Sequence, residues 1–222
     1  MRKPSLILTP GDPAGIGPEV TWKAICADFK KIRGKLLCIG ARAPFEKLGA
    51  PIVEARLDSL VPPTLKTPYI WLLPCPNQAP TGRLLEGFQV GWSIETATQL
   101  VFQGTGAALI TGPISKERLQ KGGYPFPGHT EFLAQLCHTH RQTQSSASLS
   151  PTPEVTMMLA NETLRVSLVT THLSLQNVPQ ALHREGIRRA ILHTAEGLSR
   201  FWGISNPKIA VTALNPHGGE QG

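Results

Sequence analysis

Short apolar runs alternate with longer amphipathic segments along the 222 residues of this chain. The apolar runs are brief and mostly bounded by Gly, Pro or Asn, which is typical of β-strands. They lie at residues 5–8, 36–39, 69–73, 107–110, 155–159, 165–169 and 208–214. Helix-type segments lie between them at residues 18–28, 84–103, 130–140 and 178–202. This alternation predicts an α/β fold in which helices cover a largely parallel sheet.

Two stretches interrupt the alternation, and the end of the chain is unusual. Residues 51–68 contain four prolines and are predicted to form a loop. Residues 139–153 are polar and rich in Ser and Thr, which predicts a flexible surface insertion. Residues 215–222 form a Gly-rich turn directly after a predicted strand. Because such a turn normally leads to another element, we expect a C-terminal portion of the protein to be absent from this chain.

The composition narrows the function classes. The formal net charge of +7 suits an anionic partner, such as a phosphorylated metabolite, a dinucleotide or a nucleic acid. The basic residues are scattered and form no dense run with interleaved aromatics, which argues against nucleic acid. No apolar stretch approaches the length of a membrane span or an export signal. The four cysteines contain no CxxC pair and are expected to be reduced thiols, so the sequence predicts a soluble cytoplasmic protein.

The first segment with candidate chemistry is residues 9–19, TPGDPAGIGPE, between a predicted strand and a predicted helix. Its three glycines allow a tight turn and a close approach to a ligand, and the free N–H groups of the helix start attract anions. The spacing of Gly11, Gly15 and Gly17 does not match the GxGxxG dinucleotide fingerprint. An ordinary tight turn between strand and helix remains an equal alternative.

A second segment lies at residues 111–131. TGPISK follows a predicted strand, and YPFPGHTE places His129 and Thr130 at the start of a predicted helix. An imidazole, a hydroxyl and free backbone N–H groups together form a plausible phosphate site. The alternative is that Thr130 caps the helix and His129 is an ordinary surface residue.

Two histidines follow predicted parallel strands. His172 comes after the strand at 165–169, and His217 comes after the strand at 208–214. Ligands gather beyond the carboxyl ends of parallel strands, where two neutral imidazoles can bind a divalent metal. The other five histidines show no ligand spacing, so the residues alone leave the site incomplete.

Five of these segments occur in a fixed order along the whole chain: LTPGDPAGIGPE at 8–19, PFPGHTE at 125–131, MMLA at 157–160, TTHL at 170–173 and LNPH at 214–217. Together they resemble the 4-hydroxythreonine-4-phosphate dehydrogenase family, which is related to the isocitrate and isopropylmalate dehydrogenases. The resemblance implies a three-layer α/β/α fold. It also implies a homodimer whose active site lies at the subunit interface. Residues 1–222 would be the N-terminal and central part of such an enzyme.

The resemblance also implies cofactors and site residues. NAD or NADP is the expected oxidant, and a divalent metal (zinc, magnesium or cobalt) is expected in the site. His129 and Thr130 match the substrate-binding pair of the family, and His172 and His217 match two of its three metal-binding histidines. The third histidine and much of the cofactor site belong to the portion that this chain lacks. The general base is unassigned, because Lys116 and Asp12 are candidates by position only.

The expected reaction is oxidation of 4-phosphooxy-L-threonine to a β-keto acid, which decarboxylates to 3-amino-2-oxopropyl phosphate in pyridoxal 5'-phosphate (vitamin B6) biosynthesis. Two alternatives remain open. Relatives within the family oxidise erythronate or threonate 4-phosphate, and nothing in the sequence separates these substrates. A catalytically inactive fragment that only folds and binds phosphate is an alternative of a different class.

Overall fold

A computed structural model describes residues 6–144 and 155–219 of the chain. The chain divides into two compact units, Met1–Pro153 and Glu154–Gly222. The larger unit holds the main sheet and the turns at its carboxyl edge. The smaller unit is built around one hairpin and one long helix.

The main sheet has five strands in the order β3-β4-β2-β1-β5, and every neighbouring pair is parallel. Leu37, Cys38 and Ile39 are buried in succession along β2, which means that helices cover both faces of the sheet. The predicted α/β fold with a parallel sheet is therefore confirmed. The strands are β1 (Leu6–Thr9), β2 (Leu36–Gly40), β3 (Ile52–Glu54), β4 (Ile70–Pro74) and β5 (Ala108–Thr111).

The helices of the larger unit bury one stripe each. In the first helix, Pro18 and Glu19 favour the helix start, and Lys30 and Lys31 suit its last turn. Thr21 and the residues four and eight positions after it are buried and form one stripe. The third helix packs against β1, β2 and β5. The helices are α1 (Gly17–Ile32), α2 (Ala43–Lys47), α3 (Leu85–Phe102), α4 (Lys116–Lys121) and α5 (His129–Gln144).

Two apolar clusters form the core of the larger unit. The larger cluster surrounds β1, β2 and β4 and includes the fully buried Phe45. The smaller cluster, which we call the α3–α5 cluster, joins the first half of α3 to α4 and α5. Its buried members are Val90, Ile94, Leu119, Tyr124 and Phe132.

In the smaller unit, β6 (Met158–Ala160) and β7 (Arg165–Ser167) pair as an antiparallel hairpin. A short 3-10 helix (Leu175–Asn177) and α6 (Val178–Ala181) precede α7 (Arg184–Trp202). Ala190, Thr194 and Leu198 form the buried stripe of α7. Gly203 follows the last residue of α7, and its φ of 68° is the left-handed conformation that commonly terminates helices.

Several predictions in this region are wrong in detail. The predicted helix at 178–202 is two helices, because Leu182 and His183 adopt extended backbone and His183 Nδ1 lies 2.9 Å from the carbonyl of Ala181. The predicted strands at 155–159 and 165–169 pair antiparallel, not within a parallel sheet. Residues 208–214 form no strand, since no other described residue pairs with their backbone.

Smaller differences concern the larger unit. The predicted loop at 51–68 contains β3, and the sequence pattern did not indicate α2 or α4. The predicted insertion at 139–153 begins with helix, because α5 continues to Gln144, and residues 145–153 lie outside the described part. All four cysteines are free thiols, as expected. No helix among the described residues has the length and apolar character needed to cross a membrane.

Candidate active site

Asp12 organises the turn that follows β1. Its carboxylate is 6% exposed and accepts a hydrogen bond from the backbone N–H of Ala14 at 3.0 Å. The other oxygen accepts from Arg118 Nη1 at 2.8 Å, which connects this turn to α4. Both carboxylate oxygens are thus engaged by the protein. These two contacts give Asp12 a structural role, which accounts for its position without a role as general base.

The glycines of the same turn have different roles. A Cβ on Gly17 would lie 1.7 Å from the carbonyl oxygen of Pro10, and a Cβ on Gly11 would lie 2.1 Å from that of Pro113. Gly11 also has a φ of 84°, which favours glycine. The protein's own backbone therefore requires these two glycines. Gly15 is different, because it lines an open cleft.

Replacement of Gly17 by Ala should lower the free energy of unfolding by about 1–3 kcal/mol, because the added methyl group must displace backbone. Gly15→Ala is the matched control. Its Cβ would lie 3.3 Å from the Cβ of Asp12, a much smaller conflict. Urea denaturation of both variants measures the difference. Equal stability of the two variants would show that the backbone of the turn adapts to a side chain at position 17.

A cleft of about 570 Å³ opens beside Gly15. The starts of α1, α2 and α3 line it, and the first residues of α1 and α3 have no side-chain cap. The cleft is lined by two basic residues, Arg42 and Lys47, and by two acidic residues, Glu19 and Glu86. The guanidinium of Arg42 is bound to Glu46 and Glu54. The uncapped N–H groups are the features of this cleft that suit an anion.

His129 and Thr130 lie in the first turn of α5. The helix begins at His129, so Thr130 does not occupy the capping position before it. Burial lowers the pKa of His129, which favours the neutral imidazole. Its Nε2 atom is shielded from solvent and has no hydrogen-bond partner within residues 6–144 and 155–219. Buried polar atoms without partners are rare and costly, so this atom is a candidate for binding a ligand group.

Lys116 is the first residue of α4. The hydroxyl of Ser115 caps this helix by accepting from the backbone N–H of Arg118 at 3.3 Å. Lys116 therefore lies in the first turn of α4, and the connection that follows β5 ends before it. The sequence analysis did not identify Arg118, which lies 106 positions from its ion-pair partner Asp12. The one local feature that marks Arg118 is its position in the first turn of the helix that follows the TGP motif at 111–113.

His172 and His217 both belong to the smaller unit and are exposed. Among residues 6–144 and 155–219, His172 is the one non-glycine residue with a positive φ, 56°. The turn before His217 is closed by its backbone N–H, which donates to Asn215 Oδ1 at 2.9 Å. The placement of both histidines beyond parallel strands was wrong, because β7 is antiparallel to β6 and residues 208–214 form no strand.

The described residues contain no group of three or more His, Cys, Asp or Glu side chains that could hold a metal ion. Any metal bound by His172 and His217 would thus need ligands from elsewhere. Four other histidines have local contacts. These are His138 with Gln142, His140 stacked on Phe102, His183 with the carbonyl of Ala181 and His193 with Thr156.

Comparison with known proteins places this geometry in context. The family model described as pyridoxal phosphate biosynthetic protein PdxA matches residues 69–222. A 4-hydroxythreonine-4-phosphate dehydrogenase from Caulobacter vibrioides is 36% identical over 235 residues, covering 100% of this chain and 66% of the relative. A protein from Bradyrhizobium diazoefficiens, provisionally named D-threonate 4-phosphate dehydrogenase, is 37% identical over 234 residues, covering 100% of this chain and 63% of its own length.

A solved structure also matches. The crystal structure of 4-hydroxythreonine-4-phosphate dehydrogenase from Klebsiella pneumoniae has a TM-score of 0.79 and 29% identity, covering 99% of this chain and 66% of the other. The chain therefore spans about two thirds of the length of the relatives it matches.

Proposed function

We propose, because the chain belongs to the PdxA family of pyridoxal phosphate biosynthetic proteins, that it is part of a dehydrogenase acting on 4-phosphooxy-L-threonine. In the proposed reaction, the carbinol carbon transfers a hydride to the nicotinamide of NAD or NADP, and its hydroxyl loses a proton. The resulting β-keto acid loses carbon dioxide to give 3-amino-2-oxopropyl phosphate. The names of the relatives support this reaction, and His129 provides the observation in this chain that carries the proposal.

The phosphate end of the substrate is proposed to bind at His129 and Thr130. Three features support this: the buried Nε2 atom without a partner, the Thr130 hydroxyl, and the N–H groups at the start of a 16-residue helix. Because protein atoms cover Nε2, we propose that the imidazole ring turns when the phosphate binds. Binding energy at the phosphate then fixes the reacting carbon elsewhere in the site.

His172 and His217 are the residues proposed to hold a divalent metal, such as zinc, magnesium or cobalt. Exposed imidazoles are suitable ligands for such ions, and the positive φ of His172 is a strained backbone of the kind found at functional sites. When bound, the metal supplies Lewis-acid stabilisation of negative charge on the substrate oxygen. The two histidines would hold the ion, which would supply this stabilisation at the substrate hydroxyl.

The oxidant is proposed to be NAD or NADP. In this chain, the uncapped starts of α1 and α3 at the rim of the cleft are the groups that fit its phosphates, through the backbone N–H groups near Gly15 and Glu86. The chain is proposed to act as a homodimer with the site at the interface, as the family resemblance implies.

One second substrate class is supported by a specific observation. The relative provisionally named D-threonate 4-phosphate dehydrogenase is 37% identical to this chain. D-Threonate 4-phosphate and D-erythronate 4-phosphate carry a hydroxyl where 4-phosphooxy-L-threonine carries an amino group. Both classes share the phosphate that His129 and Thr130 are proposed to bind.

The test is NADH formation by the purified protein with each phosphorylated acid, with and without a divalent metal. Intact mass defines the chain that is measured, and unphosphorylated 4-hydroxythreonine is the control substrate. Metal-dependent turnover of 4-phosphooxy-L-threonine in preference to the threonate and erythronate phosphates is expected. The opposite preference would support the second substrate class. Absence of turnover with all three, despite calorimetric binding of the phosphorylated acids, would overturn the dehydrogenase assignment for this chain.

The pKa of His129 should respond to phosphate. Burial lowers this pKa below its ordinary value of 6.5, so the unfolded chain binds more protons in the pH window just below 6.5. Stability conferred by the neutral ring is present above 6.5 and falls as the pH drops through that window. A bound phosphate favours the imidazolium and should raise the pKa. Proton NMR titration of the imidazole with and without inorganic phosphate measures both values.

The half-buried His138, in a later turn of the same helix, is the internal control, and its resonance should not respond to phosphate. An unchanged His129 titration at saturating phosphate would contradict the proposed anion site.

A further inference from the structure

Tyr124 is attached to α3 by both its hydroxyl and its ring. Its hydroxyl donates a hydrogen bond to Glu95 Oε2 at 3.1 Å. The ring lies against the helix backbone at Gly91, where a Cβ would be 2.1 Å from ring carbons. The side chain is 8% exposed. Position 124 is therefore held by one polar contact and one close packing contact with the same helix.

The next four residues, 125–128, lead directly to His129 and have a second attachment. The ring of Phe126 stacks on Phe132 with 4.4 Å between centroids and 12° between planes. The ring of Tyr124 also contacts Phe132, at 5.4 Å. Phe132 is 1% exposed and lies three residues after His129 in α5. The segment before His129 is thus fixed at its start by α3 and along its length by α5.

Pro125 and Pro127 limit the freedom of the backbone between these attachments, because each ring fixes φ. Phe126 N–H donates to the carbonyl of Tyr124 at 2.8 Å, and Tyr124 N–H donates to that of Leu119 at 3.2 Å. These constraints couple the position of Tyr124 to residues 125–127, which Gly128 alone separates from His129.

Apolar packing alone does not require the hydrogen bond between the Tyr124 hydroxyl and Glu95. Glu95 is partly buried, and burial raises its pKa, while the Tyr124 hydroxyl and the charge of Arg83 act in the opposite direction. A carboxylate in such a place is costly unless it is hydrogen-bonded. An apolar residue could fill the same space beside the α3–α5 cluster. The contact instead specifies where the Tyr124 ring must lie.

We propose that Glu95 and Tyr124 are a positioning pair, which fixes the segment 124–128 and thereby sets the place of His129 and Thr130. Neither residue is assigned contact with the substrate. The proposal rests on the proposed function only in that His129 and Thr130 are taken as the phosphate site. The pair is expected to affect substrate affinity, because it determines where the first turn of α5 lies.

Tyr124→Phe is the direct test, because it removes only the hydroxyl. Tyr69→Phe is the matched control: Tyr69 is also buried, and its hydroxyl donates to the carbonyl of Pro63 at 3.0 Å, in the other apolar cluster. Tyr124→Phe should raise KM for the phosphorylated substrate about two- to tenfold at nearly unchanged kcat, as expected for one lost hydrogen bond. Tyr69→Phe should leave KM unchanged while losing similar stability in urea.

Glu95 variants separate positioning from general destabilisation. Glu95→Gln retains an acceptor for the Tyr124 hydroxyl and should keep KM near that of the parent. Glu95→Ala should raise KM like Tyr124→Phe, and the double variant should be no worse than either single one, because the same contact is lost in each. Additive effects in the double variant would overturn the pair.

A readout that does not need turnover keeps this inference distinct from the proposed function. The imidazole NMR signal of His129 should shift in Tyr124→Phe and not in Tyr69→Phe. If the parent protein turns over no phosphorylated acid, the proposed function fails, and this signal still decides the positioning role. If neither the His129 signal nor KM changes in Tyr124→Phe, the positioning role fails alone.

Discussion

His172→Ala is expected to abolish metal-dependent turnover, with a loss of about 100-fold or more. A metal bound to a reacting oxygen contributes several kcal/mol, and each 1.36 kcal/mol corresponds to a factor of ten in rate. Because only two histidines in this chain are proposed as ligands, loss of one leaves a site too weak to retain the ion. His217→Ala should have the same effect. Turnover at graded metal concentrations, with direct metal titration by calorimetry, measures both quantities.

His183→Ala is the control for this experiment, because His183 is exposed in the same unit and its ring Nδ1 lies 2.9 Å from the Ala181 carbonyl oxygen. His172→Gly is a useful second variant, since glycine adopts a φ of 56° without strain. It should lose the metal while keeping the fold. Parent-like metal affinity in either His172 variant would remove this residue from the site.

Phe132→Ala should have the largest effect on stability, a loss of about 3–5 kcal/mol in the free energy of unfolding. Its side chain is 1% exposed and contacts the rings of Tyr124 and Phe126 within the α3–α5 cluster. Since the total stability of a domain is about 5–15 kcal/mol, a substantial part of the protein would unfold at ordinary temperature. Urea and thermal denaturation of the variant measure the loss.

Phe201→Ala removes the same side chain at an exposed site. Phe201 is 74% exposed, so its replacement should change stability by less than about 0.5 kcal/mol. Comparable losses in the two variants would mean that the α3–α5 cluster does not stabilise α5 through Phe132.

The sequence predicted the main sheet well because its central strands are buried on both faces. The runs at 36–39 and 69–73 contain uninterrupted apolar residues between Gly, Pro and polar boundaries. The first differs from β2 by one residue at its end, and the second is displaced from β4 by one residue. The strand β3 was missed because its three residues are too few to show the alternation of apolar and polar positions typical of a strand, and they lie inside a Pro-rich stretch. Its pairing with β4 is a tertiary contact that local sequence does not encode.

Patterns were less informative in the smaller unit. The run at 208–214 has the apolar character of a strand, but strand formation depends on a hydrogen-bonding neighbour, and no described residue provides one. Helical spacing continues across Leu182 and His183, although both adopt extended backbone. Apolar periodicity records which residues seek burial, and it does not record where a helix stops.

The candidate site was predictable mainly through the order of five motifs, not through any single residue. Taken alone, His129 and Thr130 favour a helix start without function, and their substrate-binding role stays a prediction. For Gly11 and Gly17, the sequence left ligand approach and an ordinary tight turn as equal alternatives, and the structure favours the turn because both pack against the protein's own carbonyl groups. No local signal indicates the contact of Glu95 with Tyr124, because 29 positions separate them.

The contact between Gly91 and the Tyr124 ring constrains how the two positions can vary together during evolution. No side chain fits at position 91 while a large ring occupies position 124. A descendant that gains alanine at 91 must also shorten or move residue 124, and Glu95 then loses its hydroxyl partner. The three positions are therefore expected to change as a set, and the order of substitutions that keeps the protein folded is one in which residue 124 becomes smaller first.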